Sequence, residues 1–446
     1  MTEHKYTEIK KLHSYKIFKK HVSFLLVETI ENFFNCSVQI ILKPEVDFLN
    51  KHGINIHDNI KRGFYPISER EVLILGRIFK ESNLVSSIGF HLCDIDVQRY
   101  SKLLNIFENL LTHHLSVEFK DYFQSSSLIF GDEIIKQTIT NYLTKGGFDP
   151  RQVRHLIEYF FKLRTTSFEG EYFSTGAIFT KSHNFLTGEL DGIRFGRTYE
   201  LENPFYITVT NKIDKRIWYL VDGKTSFFLG NKNLCFNNIF ILGNEYSSTK
   251  YLDSHSLSLT LKGGDFLIKV ENEKLLSINT SDGLEFLFFE NKWKFRDYTL
   301  LKELLSENIS KNEEILDSII FYIISCSKKQ ISTIIWFPND IDNIDSFINN
   351  ETKNSFIKGD LNITDKQAIN HIFRCISSDG ATIFNKEGVL IHMGVIINIE
   401  KAKIHGITGT GESAASVLKQ NGVSIKVSQD GLIKIFIQGE EKTFYF

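Results

Sequence analysis

A chain of 446 residues exceeds what one ordinary hydrophobic core organises, so two or three domains are expected. Its 52 basic and 54 acidic residues nearly cancel, which excludes a protein dominated by contacts to a phosphate backbone, and no nucleic-acid partner is expected. The longest apolar run, Ile319 to Ile324, is far short of the roughly 20 residues a membrane helix needs, so no membrane partner is expected either.

The five cysteines, at 36, 93, 235, 326 and 375, are scattered, odd in number and without a CxxC pair. They fit no disulfide framework, and a reducing cytoplasm is the expected location. Residues 1–20 lack the apolar segment of a signal peptide. Their basic stretch, Lys10-Lys11 to Lys19-Lys20, reads as a solvated helix face.

Residues 1–118 read as a mixed α/β domain, a candidate sensor. Apolar spacing predicts helices over Ser14–Phe34, Ser68–Lys80 and Ile95–His113, and a strand over Cys36–Leu42. His113 and His114 project about 100° apart on a helix, a poor chelating pair. Residues 119–165 read as two helical segments joined by Gly146-Gly147-Phe148-Asp149-Pro150. With the stretch up to 296 they form the second expected domain. Its β-rich part has short runs at Ile207–Thr210, Trp218–Val221, Ser226–Leu229, Ser256–Leu261, Phe266–Val270 and Glu285–Phe289. Asp222-Gly223, Gly263-Gly264-Asp265 and Ser281-Asp282-Gly283 punctuate these runs as turns.

Residues 297–446 form the third expected domain. Leu300–Leu305 and Glu313–Ser325 are helical in pattern, and Ile331–Phe337 is a strand. Thr364-Asp365-Lys366-Gln367 has the form of a capping box ahead of a helix carrying Ile369, Ile372, Phe373 and Ile376. Ala381–Phe384 and Val389–Ile397 are strands around the turn Asn385-Lys386-Glu387-Gly388. A helix over Gly411–Asn421 is followed by strands Ser424–Val427 and Leu432–Ile437. The predicted class is α/β (α+β) and multidomain: a C-terminal mixed sheet flanked by helices, after a β-rich middle domain and an N-terminal α/β domain.

Three pieces of this last domain carry chemistry. Asp379, in Ser378-Asp379-Gly380-Ala381, falls between a helix and a strand, where a carboxylate can hold Mg²⁺ or Mn²⁺ and help activate a hydroxyl. Gly409-Thr410-Gly411-Glu412-Ser413-Ala414-Ala415 opens a helix with small residues, whose unpaired N–H groups suit a phosphate. The alternative is a plain capped helix with Thr410 as N-cap. Val427-Ser428-Gln429-Asp430 ends a strand, with Ser428 a phosphate donor and Asp430 a second metal ligand, or else a simple hairpin turn.

In order and spacing these pieces resemble the DisA-type diadenylate cyclase domain of bacteria, from about Trp293 onward. Asp379-Gly380-Ala381 matches that family's first motif, and Gly409-Thr410 with Ala414-Ala415 matches the ends of its second. Where the family has Arg-His-Arg, this chain has Gly411-Glu412-Ser413. The resemblance implies condensation of two ATP molecules into cyclic di-AMP, with Mg²⁺ or Mn²⁺ and with self-association of the domain. It implies that Asp379 binds metal and activates the hydroxyl, that Gly380 and Ala381 lie against the nucleotide, and that Thr410, Ser413 and Ser428 contact phosphate. Loss of the arginine forks leaves three outcomes open: rebuilt phosphate contacts, a different cyclic dinucleotide, or a degenerate domain that binds nucleotide without turnover. Thr166-Ser167-Phe168-Glu169-Gly170-Glu171 with Gly176-Ala177-Ile178 is similar to the sensor-type region, called DACNV, that precedes some of these cyclase domains.

Overall fold

The computed structural model describes residues 26–41, 64–80, 83–121, 130–172, 174–180, 189–207, 215–243, 261–353, 361–399 and 409–446, apart from positions 145, 191–192, 195, 262, 272–274 and 441–442. The basic stretch between Lys10 and Lys20 lies outside them.

A helix over residues 26–34 (α1) leads into an antiparallel sheet of β1 (Ser37–Ile41), β2 (Phe64–Ser68), β3 (Glu71–Lys80) and β4 (Asn83–Cys93), in the order β1-β4-β3-β2. The helix expected over Ser68–Lys80 is therefore a strand. Its apolar run is continuous because both faces are buried: Val72 and Ile74 enter the main core, while Leu73 and Leu75 pack with Tyr65 in a second cluster. Continuous burial hides the alternation that marks a strand.

Three helices follow: α2 (Ser101–Asp121), α3 (Phe130–Thr144) and α4 (Pro150–Arg164). The Gly146–Pro150 joint falls where expected. The Asp149 carboxylate accepts from the N–H groups of Arg151 and Gln152 at 2.9 and 3.0 Å, and Pro150 fills the first helical position.

The middle sheet has eight strands: β5 (Thr175–Phe179), β6 (Gly196–Tyr206), β7 (Ser226–Gly230), β8 (Cys235–Leu242), β9 (Phe266–Val270), β10 (Leu276–Thr280), β11 (Leu284–Phe289) and β12 (Lys292–Asp297). Their order is β6-β8-β7-β5-β9-β10-β11-β12, with β5 and β7 parallel. Trp218–Val221, expected as a strand, is the end of a short helix (Lys215–Trp218) and the turn after it. Trp218 is apolar because it docks, not because it pairs: its ring packs on Phe160 and Phe228 and its N–H donates to Tyr159 Oη at 2.8 Å. The runs Ile207–Thr210 and Ser256–Leu261 lie outside the described residues except for Ile207 and Leu261. One core runs from Leu26 through α2, α3 and α4 to Phe295, joining the N-terminal elements to one face of the middle sheet.

The C-terminal part comprises α5 (Tyr298–Asn308), α6 (Glu313–Lys328), β13 (Thr333–Phe337), α7 (Ile369–Ile376), β14 (Ala381–Phe384), β15 (Leu390–Val395), α8 (Thr410–Leu418), β16 (Val423–Val427), β17 (Ile433–Ile437) and β18 (Thr443–Tyr445). The strands form one sheet in the order β15-β14-β13-β16-β17-β18, and β13–β14 is its parallel pair. Alternation divides the sheet cleanly. Ile335, Ile425 and Ile435 pack against α5, α6 and α7, whereas Ile334, Trp336, Ala381 and Ile383 pack against α8. The capping box at Thr364 does not form. Asp365 instead accepts from the N–H groups of Gln367 and Ala368, closing a separate turn, and α7 begins after Ala368 with no side-chain cap.

A buried charge network joins the middle sheet to the C-terminal part. Lys328 at the end of α6 lies 3.1 Å from Glu271 and 3.3 Å from Glu285, and Arg296 on β12 lies 3.6 Å from Glu285. Tyr298 Oη donates to Glu285 at 2.6 Å. Burial alone would raise both carboxyls. For Glu271 the ammonium groups of Lys269 and Lys328 outweigh it, and for Glu285 Lys328, Arg296 and Tyr298 do so, holding both below the ordinary carboxylate value.

Candidate functional site

The predicted pieces converge on one rim of the C-terminal sheet. Ile334 on β13 is flanked by Ala381 on β14 and Lys426 on β16. The rim therefore gathers the start of β13, the start of β14 and the end of β16. Asp379 precedes Ala381 by two residues and is exposed. Its turn is fixed from behind: Ser378 Oγ and Thr382 Oγ both donate to the Cys375 carbonyl, at 2.6 and 2.8 Å. Gly380 sits at φ +98°, and a Cβ there would lie 2.7 Å from the Val395 carbonyl oxygen. The Asp-Gly step is thus a steric requirement of the β14–β15 pairing. Ala381 is fully buried under α8.

Helix α8 brings its N-terminus to the same rim. Gly409, and not Thr410, occupies the N-cap position, with extended backbone and no side-chain cap. Its carbonyl accepts from the N–H groups of Glu412 and Ser413, at 3.0 and 3.1 Å. Thr410 and Gly409 are exposed. The Ser413 hydroxyl is buried and donates back to the Gly409 carbonyl at 3.3 Å. Glu412 is held by Lys434, whose Nζ lies 2.7 Å from its carboxylate.

Two lysines that sequence reasoning did not select complete this rim. Lys426 is nearly buried, its chain lying against Gly411: a Cβ on Gly411 would meet Lys426 Cε at 3.0 Å and Nζ at 3.2 Å. Its ammonium donates to Ser332 Oγ at 2.6 Å. Burial first, and then the Lys434 ammonium, push the Lys426 ammonium below its ordinary value, with Asp430 acting the other way. Lys426 and Lys434 are direct cross-strand partners of β16 and β17. The signal in the sequence was a charged residue at an inward position of each strand, between apolar neighbours, visible only once the register was known.

Ser428 and Asp430 occupy the turn between β16 and β17. The Ser428 N–H and carbonyl close that turn against Leu432 and Gly431. Asp430 is exposed, and its carboxylate accepts from the Leu432 N–H at 3.1 Å. It lines a cleft of about 340 Å³ with Glu31, Asn35, Asp94, Lys294 and Tyr445. Strands β14 and β16 stand on opposite sides of β13, which separates Asp379 from Ser428 by about 10 Å at ordinary strand spacing. Asp430 lies beyond Ser428, toward the cleft.

Asp379 stands on this rim as a single exposed carboxylate. Among the described residues it belongs to no group of three donors close enough to hold an ion by themselves. One or two carboxylates with substrate phosphates is the usual ligand set of Mg²⁺. Among the described residues no helix is long and apolar enough to cross a membrane. No family model matches the chain, and no curated protein matches it.

Proposed function

We propose that the C-terminal part is a diadenylate cyclase-like nucleotidyltransferase that uses ATP, with residues before it as the sensing part. The observation that carries the reading is the convergence of Asp379, the open start of α8 and the Lys426 ammonium on one sheet rim. The Thr410 and Gly411 N–H groups, with the helix dipole behind them, face a phosphate, and Lys426 supplies the cation that the missing arginines would have given. Asp379 holds the divalent ion carried by the nucleotide and orients the attacking hydroxyl. Gly380 and Ala381 let the nucleotide approach the backbone. Ser428 reaches the phosphates from the third strand.

In this reaction two such domains face each other, each with one ATP. The 3′-oxygen of each nucleotide attacks the α-phosphorus of the other. Two new P–O bonds form, two α–β phosphoanhydride bonds and two 3′-O–H bonds break, two pyrophosphates leave, and the two protons pass to solvent. Catalysis is mainly positioning and charge neutralisation, so turnover requires self-association.

A second reading has its own support: Glu412 occupies the helix start with a carboxylate, and its paired Lys434 is spent on it. On that reading the domain binds nucleotide and regulates a partner without turnover. Incubation of the full chain with ATP and Mg²⁺ or Mn²⁺, followed by mass spectrometry, tests the first reading. Cyclic dinucleotide that disappears in Asp379→Asn supports it. Product unchanged in Asp379→Asn removes Asp379 from the reaction, and ATP binding with no product under any metal selects the regulatory reading.

A further inference from the structure

Strands β3 and β4 bring three different donors together on the outer face of the N-terminal sheet. Cys93 and His91 alternate along β4, and Glu71 is the direct partner of Cys93 on β3. The Cys93 sulfur lies 3.7 Å from His91 Nε2, which lies 3.8 Å from Glu71 Oε2. All three donor atoms fall within 4.8 Å of one another. Around a tetrahedral zinc ion, with Zn–S near 2.3 Å and Zn–N or Zn–O near 2.1 Å, neighbouring donors stand about 3.4–3.6 Å apart. The two sides that meet at His91 Nε2, 3.7 and 3.8 Å, already have that size within a few tenths of an ångström, and the third is no longer than 4.8 Å.

We propose that Glu71, His91 and Cys93 form a site for a thiophilic divalent cation of the Zn²⁺ class. Thiolate, imidazole and carboxylate select zinc-like ions over Mg²⁺ or Ca²⁺, which take oxygen ligands. The charges also balance: one thiolate and one carboxylate neutralise a dication. That matters here, because Leu73, the strand partner of His91, is fully buried beside the site. Binding releases the Cys93 thiol proton and forms one S–metal bond without redox change. Ser37, opposite Cys93 on β1, hydrogen-bonds the sulfur and steadies it. Three protein donors leave the fourth position to water or to a ligand. Glu71 is 42% exposed and marks the open side.

The site is independent of the nucleotide reading, and its test keeps the two apart. The full chain, stripped with a chelator, is titrated with Co²⁺. One equivalent should produce a thiolate-to-cobalt charge-transfer band and the visible bands of tetrahedral cobalt, and Zn²⁺ should bleach both. Cys93→Ser should lose the charge-transfer band. His91→Gln and Glu71→Gln should each weaken binding, and Cys36→Ser, Cys235→Ser and Asp379→Asn should leave it intact. Equal melting temperatures of the stripped native chain and stripped Cys93→Ser establish that the variant folds. No cobalt band in the native chain overturns the proposal, leaving Glu71 and His91 as a simple side-chain contact. So does a band that survives in Cys93→Ser.

Discussion

Arg296 on the last strand of the middle sheet donates to the carbonyl of Gly431, 135 residues further along, at 3.1 Å. Ser327 at the end of α6 donates to the same carbonyl. The turn that carries Ser428 and Asp430 is therefore held by side chains from the middle sheet and from α6.

That junction is electrostatic, and its pH dependence follows from the sign of the shifts. Glu271 and Glu285 titrate below their ordinary value of 4.5 in the folded chain. Their contribution is complete above the unfolded value and is lost as pH falls through the folded values. Thermal unfolding should therefore be steady well above 4.5 and decline below it. Lys328→Met leaves both carboxylates without this partner and should cost about 3–5 kcal/mol at neutral pH. Calorimetry of both proteins across the acid range checks this; a stability loss below about 1 kcal/mol would show that the pair contributes little.

Two glycines near the rim should respond differently. Gly380→Ala places a methyl against backbone oxygen in a left-handed conformation, so a destabilisation of at least about 1–3 kcal/mol is expected. Gly411→Ala adds a methyl whose three nearest atoms all belong to the flexible end of Lys426. It should fold normally, displace that side chain and weaken ATP binding. Denaturant unfolding with ATP titration separates the two effects.

Lys426→Met should weaken ATP binding by roughly ten-fold or more, the value of one lost charged hydrogen bond. The native chain carries a further signature. Its Lys426 ammonium titrates below 10.5, and a bound polyphosphate raises it again. The sign is uptake: binding in the alkaline range below 10.5 should consume protons, and the uptake should fade as pH falls. Titration calorimetry in buffers of different ionisation enthalpy measures this, and uptake that persists in Lys426→Met would assign the proton elsewhere.

Glu412→Gln tests what the acid at the helix start does. Removing its charge should tighten ATP binding a few-fold, since a carboxylate beside a helix start competes with phosphate for about 0.3–1 kcal/mol. It also frees the Lys434 ammonium. Weaker binding in the presence of Mg²⁺ would mark Glu412 as a metal ligand instead. Fluorescence titration with and without Mg²⁺ distinguishes these outcomes.

Local patterns made most of the C-terminal elements legible, because the strands there are short apolar runs and the turns around them carry glycine or asparagine. The order helix, Asp379, hairpin, glycine-rich helix start was readable for the same reason. What the chain order hides is register. Lys426 and Lys434 are unremarkable lysines until β16 and β17 pair, and Glu71 reaches Cys93 only when β3 is a strand. Reading Ser68–Lys80 as a helix concealed that juxtaposition, since helical geometry sends Glu71 away from any partner on β4. Thr410 failed as a cap for a local reason: Gly409 already has the extended backbone that a cap requires.

The single core from Leu26 to Phe295 has a consequence for modularity. Its N-terminal elements share their apolar interior with the middle sheet and do not hang from it as separable beads. From the body around this core Arg296 reaches the turn at Gly431, and Glu271 and Glu285 hold Lys328 of α6. Swapping the front of the chain for a foreign domain would remove a large part of one interior, whereas a cut just before Tyr298 severs charges and leaves both interiors whole.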